Sequence, residues 1–255
     1  MISTEALEKL SKQYHTSVFP NVIREYSQHL FLSALYKLPE ARQMLFKGGT
    51  ALRIIYGSPR FSEDLDFSLF GVESGKVKRF VEKLFVNTLT SVEQMGVKVE
   101  LGHKSDRTSG GYFGTAKFGL SQYPPVGVEV NVSARNEDEP ASELDSIAND
   151  FVPTYTIIHL AEKDIVEEKV FGALLERKKP RDFYDLYFVM RKGMFSIEQK
   201  KRLAKVAKDI VNDAKSINFR TELGVFLPSD QQAIIRDFSA MLERELHRQL
   251  NSSGV

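Results

Sequence analysis

The chain has 255 residues, 42% of them hydrophobic, with 35 Lys+Arg against 34 Asp+Glu for a net charge of +1; it can fill a core and carries no global field that would gather nucleic acid or membrane. The lack of cysteine excludes disulfides, thiolate metal sites and a cysteine nucleophile. Five scattered histidines, His15, His29, His103, His159 and His247, form no close pair of the kind that holds a metal.

The opening MISTEALEKLSKQYH is polar and lacks the apolar core of a secretion signal, and no apolar run approaches the roughly 18 residues of a membrane span. A cytoplasmic protein without membrane partners is expected. Helical spacing of apolar residues runs through 18–38, followed by a short helix near 50–56 and a strand at 65–70 that Gly71 closes. In 76–95 Val77, Phe80, Val81, Leu84, Phe85, Leu89 and Val92 recur at helical intervals, and strand-like alternation follows in 97–101, 112–120 and 126–132. Between 129 and 150 seven acids accompany one base; with Pro140 and little apolar periodicity, this stretch reads as a loop or hinge. Beyond it the pattern is helical, over 160–176, 182–191, 197–212 and 231–250, with Asn251 and Gly254 closing the last helix. The expected organisation is N-terminal helices over 1–40, an α/β core with a small mixed sheet over 41–135, a linker over 136–155 and an all-α domain over 156–255.

Chemistry concentrates in Lys47-Gly-Gly-Thr-Ala-Leu-Arg-Ile-Ile-Tyr-Gly-Ser-Pro-Arg-Phe-Ser-Glu-Asp-Leu-Asp-Phe-Ser-Leu69. Gly48 and Gly49 stand where an apolar segment hands over to a helical one, and such a turn lets backbone N–H groups approach a phosphate. In a strand, Asp64, Asp66 and Ser68 share one face while Leu65, Phe67 and Leu69 enter the core. Two carboxylates held that close repel, and a divalent cation relieves them; magnesium suits, because it takes oxygen ligands and bridges carboxylates to phosphates. The same alternation puts Val128, Val130 and Val132 on one face of a later strand and Glu129, Asn131 and Ser133 on the other, so Glu129 is a candidate third acid. Glu100 competes for that role, and solvated strand faces are the plain alternative for each acid alone.

These residues resemble the DNA polymerase β-type nucleotidyltransferase superfamily. The string Gly48-Gly-Thr-Ala-Leu-Arg…Arg60-Phe-Ser-Glu-Asp-Leu-Asp-Phe67 resembles, more narrowly, the AbiEii group of type IV toxin–antitoxin toxins. Glu168-Lys-Val-Phe-Gly-Ala-Leu-Leu-Glu-Arg-Lys-Lys-Pro-Arg-Asp-Phe-Tyr-Asp-Leu186 is similar to that group's Glu-Lys helix followed by Arg-Asp-x-x-Asp-Leu, so the resemblance covers about residues 40–190. One departure is Gly127, where the group often has a basic residue two positions before the third acid.

The resemblance implies an α/β (α+β) nucleotidyltransferase core followed by an all-α helical domain. It also implies a reaction in which an acceptor hydroxyl attacks the α-phosphate of a nucleoside triphosphate (NTP) and pyrophosphate leaves. Asp64 and Asp66 would hold two Mg²⁺ ions, with Glu129 completing the set or acting as base. Gly48, Gly49 and Thr50 would cradle the phosphates, and Lys169 would reach the triphosphate. Arg53 and Arg60 would steady the carboxylates or bind nucleotide. Arg181, Asp182 and Asp185 open the next helix, where Asp182 also suits a helix start and Asp185 serves structure or site. The substrate would bind in the cleft between the halves. Tyr184, Tyr187 and Phe188 read as core. The bases Arg177, Lys178, Lys179, Arg181, Arg191, Lys192, Lys200, Lys201, Arg202, Lys205 and Lys208 would form either a nucleic-acid track or a solvated surface. The implied acceptor is tRNA or another RNA, and the implied partner is a separately encoded antitoxin. The rival readings are transfer to a small molecule or protein hydroxyl, and a non-catalytic binding module on the same scaffold.

Overall fold

Alternating apolar and polar residues build a seven-stranded sheet in the order β3-β4-β5-β2-β1-β7-β6. Its strands are β1 (Met44–Lys47), β2 (Asp64–Phe70), β3 (Lys98–Leu101), β4 (Gly111–Gly119), β5 (Val126–Asn136), β6 (Ser142–Ile147) and β7 (Tyr155–Leu160). β2 is central, antiparallel to β1 and parallel to β5, while β7 runs parallel to β1 on the other side. One face of the sheet is apolar: Leu65, Phe67 and Leu69 of β2 and Val128, Val130 and Val132 of β5 are all buried, each contributing roughly 1.5–3 kcal/mol by leaving water. This is a computed structural model, and it describes residues 2–102, 111–120, 122–136 and 139–251. His103, Glu137, Asp138 and Gly254 lie outside the described residues.

Among the helices of the first half, α1 spans Thr4–Gln13, α2 Ile23–Leu35, α3 Gly48–Ile54 and α4 Val77–Gln94. α4 is amphipathic as its spacing requires, burying Val77, Val81, Leu84, Phe85, Thr88, Leu89 and Val92. α2 is buried on nearly every side, so its polar residues need internal partners. Gln28 Nε2 donates to the carbonyls of Ser62 and Glu63 at 3.0 and 3.1 Å, and Glu25 is paired with Arg53.

Two compact units result, Met1–Gly57 with Phe61–Leu160, and Ser58–Arg60 with Ala161–Val255. The expected linker over 136–155 is therefore corrected: β5 reaches Asn136, β6 pairs antiparallel with β7, and the sheet continues to Leu160. β6 is an edge strand with five of its six residues exposed, so it lacks the alternation that marks a half-buried strand, and acids are a usual way to blunt such an edge. The N-terminal helices pack into the same core as the sheet through Leu7, Leu10, Ile23, Phe31 and Leu35.

The second unit is helical apart from its three-residue loop segment. A continuous helical stretch comprises α5 (Glu162–Val166), a π-helical segment (Glu167–Leu174) and α6 (Leu175–Arg177). α7 (Pro180–Lys192), α8 (Ile197–Lys215), α9 (Arg220–Phe226) and α10 (Phe238–Asn251) follow. Pro180 sits in the first turn of α7 and Gly193 closes it at φ 76°; Ser196 and Gln199 cap α8 reciprocally. Tyr184 is core, stacked on Phe238 with centroids 6.0 Å apart, and Tyr187 meets the same ring edge-on. Among the described residues no helix is long and apolar enough to cross a membrane.

Inside the first unit His29 lies 2.8 Å from the Tyr155 hydroxyl through Nδ1. Burial, helped by the Arg53 charge, lowers its pKa to about 3. The unfolded chain therefore takes up this proton first as pH falls, and stability that is complete above about 6.5 should decline by about 1.4 kcal/mol per pH unit toward 3. Urea midpoints measured from pH 7 to 4 should show that decline in the wild type and a flatter profile in His29→Gln.

Candidate active site

The polar face of the sheet is set by register. β2 and β5 pair so that Asp64 stands opposite Glu129 and Asp66 opposite Asn131, and β1 places Lys47 opposite Asp66 on the other side. Cross-strand partners point to the same face, so Asp64, Asp66 and Glu129 occupy adjoining positions on it. Glu100, the alternative third acid, is opposite Lys117, which is itself opposite Gly127; it stands three strands from β2 and in another row.

Asp66 is held by what surrounds it. Asn131 Nδ2 donates to its Oδ1 at 3.2 Å. Its Oδ2 occupies the space a side chain at Gly48 would need, since a Cβ built there would lie 2.2 Å away. Gly48 also has φ +87°, so the turn demands glycine twice, for its backbone and for the carboxylate against it. Thr50 is fully buried, and its hydroxyl donates to the Asp64 carbonyl. That bond ties α3 to β2, so Thr50 offers its backbone rather than its side chain to a ligand.

Among the described residues no three His, Cys, Asp or Glu side chains are gathered closely enough to chelate a metal. Glu129 is exposed and Asp66 is turned toward Gly48 and Asn131. The donor set nonetheless fits a hard divalent cation: three carboxylates in register, all oxygen donors, on rigid strands.

Other predicted site residues are engaged elsewhere. Arg53 grips Glu25 with Nε–Oε1 at 2.8 Å and Nη2–Oε2 at 2.7 Å and lies 3.7 Å over the Phe61 ring, a packing role. Arg181 faces Glu222 at 3.3 Å. Asp182, buried, accepts from the Lys179 backbone N–H at 3.2 Å and pairs with Arg177 at 2.5 Å, so it caps α7.

Asp185 is the hub of the second unit. Arg60 contacts it through Nε and Nη2 at 2.9–3.1 Å, and the Lys169 ammonium lies 2.9 Å from Oδ2. Asp185 is fully buried, and Lys169 is partly buried. Burial alone would raise the Asp185 pKa, but Arg60 and Lys169 outweigh it and hold it below the usual carboxylate range. Asp185 is shared by both cations and fixes where the Lys169 ammonium stands.

A mixed sheet carrying a glycine turn, an Asp-x-Asp strand and a helical appendage is a nucleotidyltransferase scaffold. The crystal structure of an H. pylori protein assigned as a nucleotidyltransferase shares it, with TM-score 0.58 and 18% identity over 90% of this chain and 97% of that one. JHP933 from Helicobacter pylori does so with TM-score 0.54 and 19% identity, over 99% and 97%. At these identities the likeness is one of fold; among curated proteins none matches. The chain belongs to the family described as nucleotidyl transferase AbiEii toxin of type IV toxin–antitoxin systems, whose model matches residues 30–250. It is accordingly a nucleotidyltransferase of a type IV toxin–antitoxin family, for which an NTP substrate and an antitoxin are implied.

Lys47 and Asn131, which flank Asp66, went unassigned in the sequence. Asn131 shares the polar face of its strand with Glu129, and Lys47 follows the apolar run 44–46, but the pairing of both with Asp66 depends on register.

Gly48→Ala should cost at least about 1–2 kcal/mol from the positive φ alone, with Asp66 displaced besides; an unchanged urea midpoint would contradict the placement. Asp185→Asn should cost about 3–5 kcal/mol by removing the buried charge that Arg60 and Lys169 both face. Because the folded pKa of Asp185 is depressed, its contribution is present above about 3.9 and lost as pH falls toward the folded value. Acid titrations followed by circular dichroism should show that component in the wild type and not in the variant.

Proposed function

We propose that the chain transfers a nucleoside monophosphate from an NTP to an acceptor hydroxyl, with Mg²⁺ held by Asp64, Asp66 and Glu129 and with tRNA as the acceptor. The carrying observation is the β2–β5 register, which sets Glu129 opposite Asp64 and two positions from Asp66 on one polar face. Magnesium, when bound at such carboxylates, lowers the pKa of an attacking hydroxyl and neutralises triphosphate charge.

The chain's own residues do the rest. Gly48 keeps the turn free of a side chain against Asp66, which leaves room for backbone N–H groups to meet phosphate. Asn131 orients Asp66 through its Nδ2, and Lys47 adds a positive charge opposite it in register. The acceptor oxygen forms a bond to the α-phosphorus as the bridging bond to the β-phosphate breaks, and pyrophosphate departs with that electron pair. The hydroxyl proton passes to a carboxylate of this row. For Lys169 as a triphosphate contact, the support is the family pattern together with the Asp185 pair that holds its ammonium. The acceptor and the toxin role rest on the family, whose members include enzymes that modify tRNA ends.

Incubation with Mg²⁺, each α-labelled NTP and total tRNA should label RNA with one or more triphosphates. Asp66→Asn should lower that rate at least about 100-fold, equivalent to about 3 kcal/mol, with circular dichroism unchanged. Label on a protein or a small molecule instead would transfer the reading to another acceptor, and full activity in the variant would remove the metal site.

A further inference from the structure

The cations of the second unit divide into two sets. Arg177, Lys178, Arg181 and Arg202 are spent on acids, pairing with Asp182, Asp213, Glu222 and Glu167. The lysines of α8 are a different case. Lys201, Lys205, Lys208 and Lys215 fall at steps of four, three and seven residues, with Asn212 between the last two, so all lie within about 40° of one line along the helix. All five are exposed, while Leu203, Ile210 and Ala214 on the far side are buried. Over about 21 Å the stripe contains no acid, and Lys201, Lys205 and Lys208 form no ion pair among the described residues.

A solvated helix face ordinarily interleaves acids with bases at three- and four-residue spacing, because like charges there cost about 0.2–0.5 kcal/mol per pair. Here Lys201, Lys205 and Lys208 stand next to one another at that spacing, while Glu198 and Asp209, three and four residues from Lys201 and Lys205, flank the stripe without forming an ion pair to it among the described residues. The stripe also leads somewhere. Lys215, at its end, lines a cavity of about 680 Å³ with Asn218, Phe219, Arg220, Gln232 and Arg236. Lys215 is matched by Glu243 at 3.3 Å, whereas Arg220 and Arg236 pair with no acid among the described residues. Gln232 Nε2 donates to the carbonyls of Gly224 and Leu227 at 3.0 and 3.2 Å, bracing the wall that carries Arg236. Two guanidiniums in one concavity are suited to phosphate, which they bind through paired N–H donors.

We infer that the α8 lysine stripe and the Arg220–Arg236 cavity form one binding track for the phosphate backbone of a nucleic acid. The stripe supplies point charges that follow a backbone without reading sequence, and the cavity supplies directed donors for one phosphate at its end. The track lies wholly within the second unit and needs neither triphosphate nor metal.

Fluorescence anisotropy with a short labelled single-stranded RNA, without NTP or Mg²⁺, tests it. Five contacts predict a slope of log affinity on log salt near −3.5, a loss of about 100-fold between 50 and 200 mM. Arg220→Ala with Arg236→Ala should lessen the slope by about 1.4, and Lys201→Ala, Lys205→Ala and Lys208→Ala together by about 2. These positions are exposed, so unchanged circular dichroism is expected. Asp66→Asn should bind as the wild type does, which separates this track from the catalytic proposal. Unchanged RNA binding in both multiple variants would overturn the inference. So would a cavity that binds a nucleoside monophosphate through Arg220 and Arg236 without affecting RNA, or binding to anionic-lipid vesicles in place of RNA.

Discussion

Strand β2 lies between an antiparallel neighbour and a parallel one, and its alignment with both is the constraint on which the polar face depends. A shift of one residue would turn Asp64 and Asp66 into the core and Leu65 and Phe67 out to water. The apolar face prevents that. Leu65, Phe67, Val128 and Val130 are each at most 1% exposed, and the cost of exposing several such side chains exceeds the repulsion among a few carboxylates near the surface. Burial on one side of the sheet thus holds together, on the other, charges that would separate if left to themselves.

The Asp185 cluster works by the opposite economy. Taking an aspartate fully out of water is unfavourable unless the surroundings return the lost solvation, and two cations with directed hydrogen bonds do so here. Its worth lies in placement. Asp185 sits in the second turn of α7 and Lys169 on the preceding helical stretch, so the ion pair fixes the separation of two helices as well as the position of one ammonium. Asp182, one turn earlier, is a plain cap by contrast, and the Asp-x-x-Asp spacing thereby combines a helix-starting function with a charge-positioning one.

Signals carried by short-range periodicity were legible in the sequence. The alternation around Asp64, Asp66 and Glu129, the seven-residue apolar face of α4 and the glycine turn before α3 all appear where the pattern places them, because each depends on residues close in the chain. Features that depend on tertiary pairing were not. β6 shows no alternation because both of its faces meet solvent. Tyr155–Leu160 is a short segment compatible with strand or helix; the sequence reading ends the linker at 155 and begins a helix at 160, whereas the segment is strand β7 and the helix begins at Glu162. The partners of Arg53 and Arg60 lie 28 and 125 residues away, so their roles as structural anchors had no local mark. Thr50 looked like a phosphate ligand because its engagement by the Asp64 carbonyl closes only on folding.

Ser58–Arg60 belongs with the helical unit although the chain on both sides belongs to the sheet. The C-terminal helices are therefore not a severable module: a fragment cut after Leu160 would keep Asp185 and Lys169 but lose the guanidinium that shares the carboxylate. Deleting the three-residue excursion would remove Arg60, a partner of Asp185, from the helical unit. For anyone dissecting the protein into pieces, the natural boundary is one of contacts, and it does not coincide with a single position in the chain.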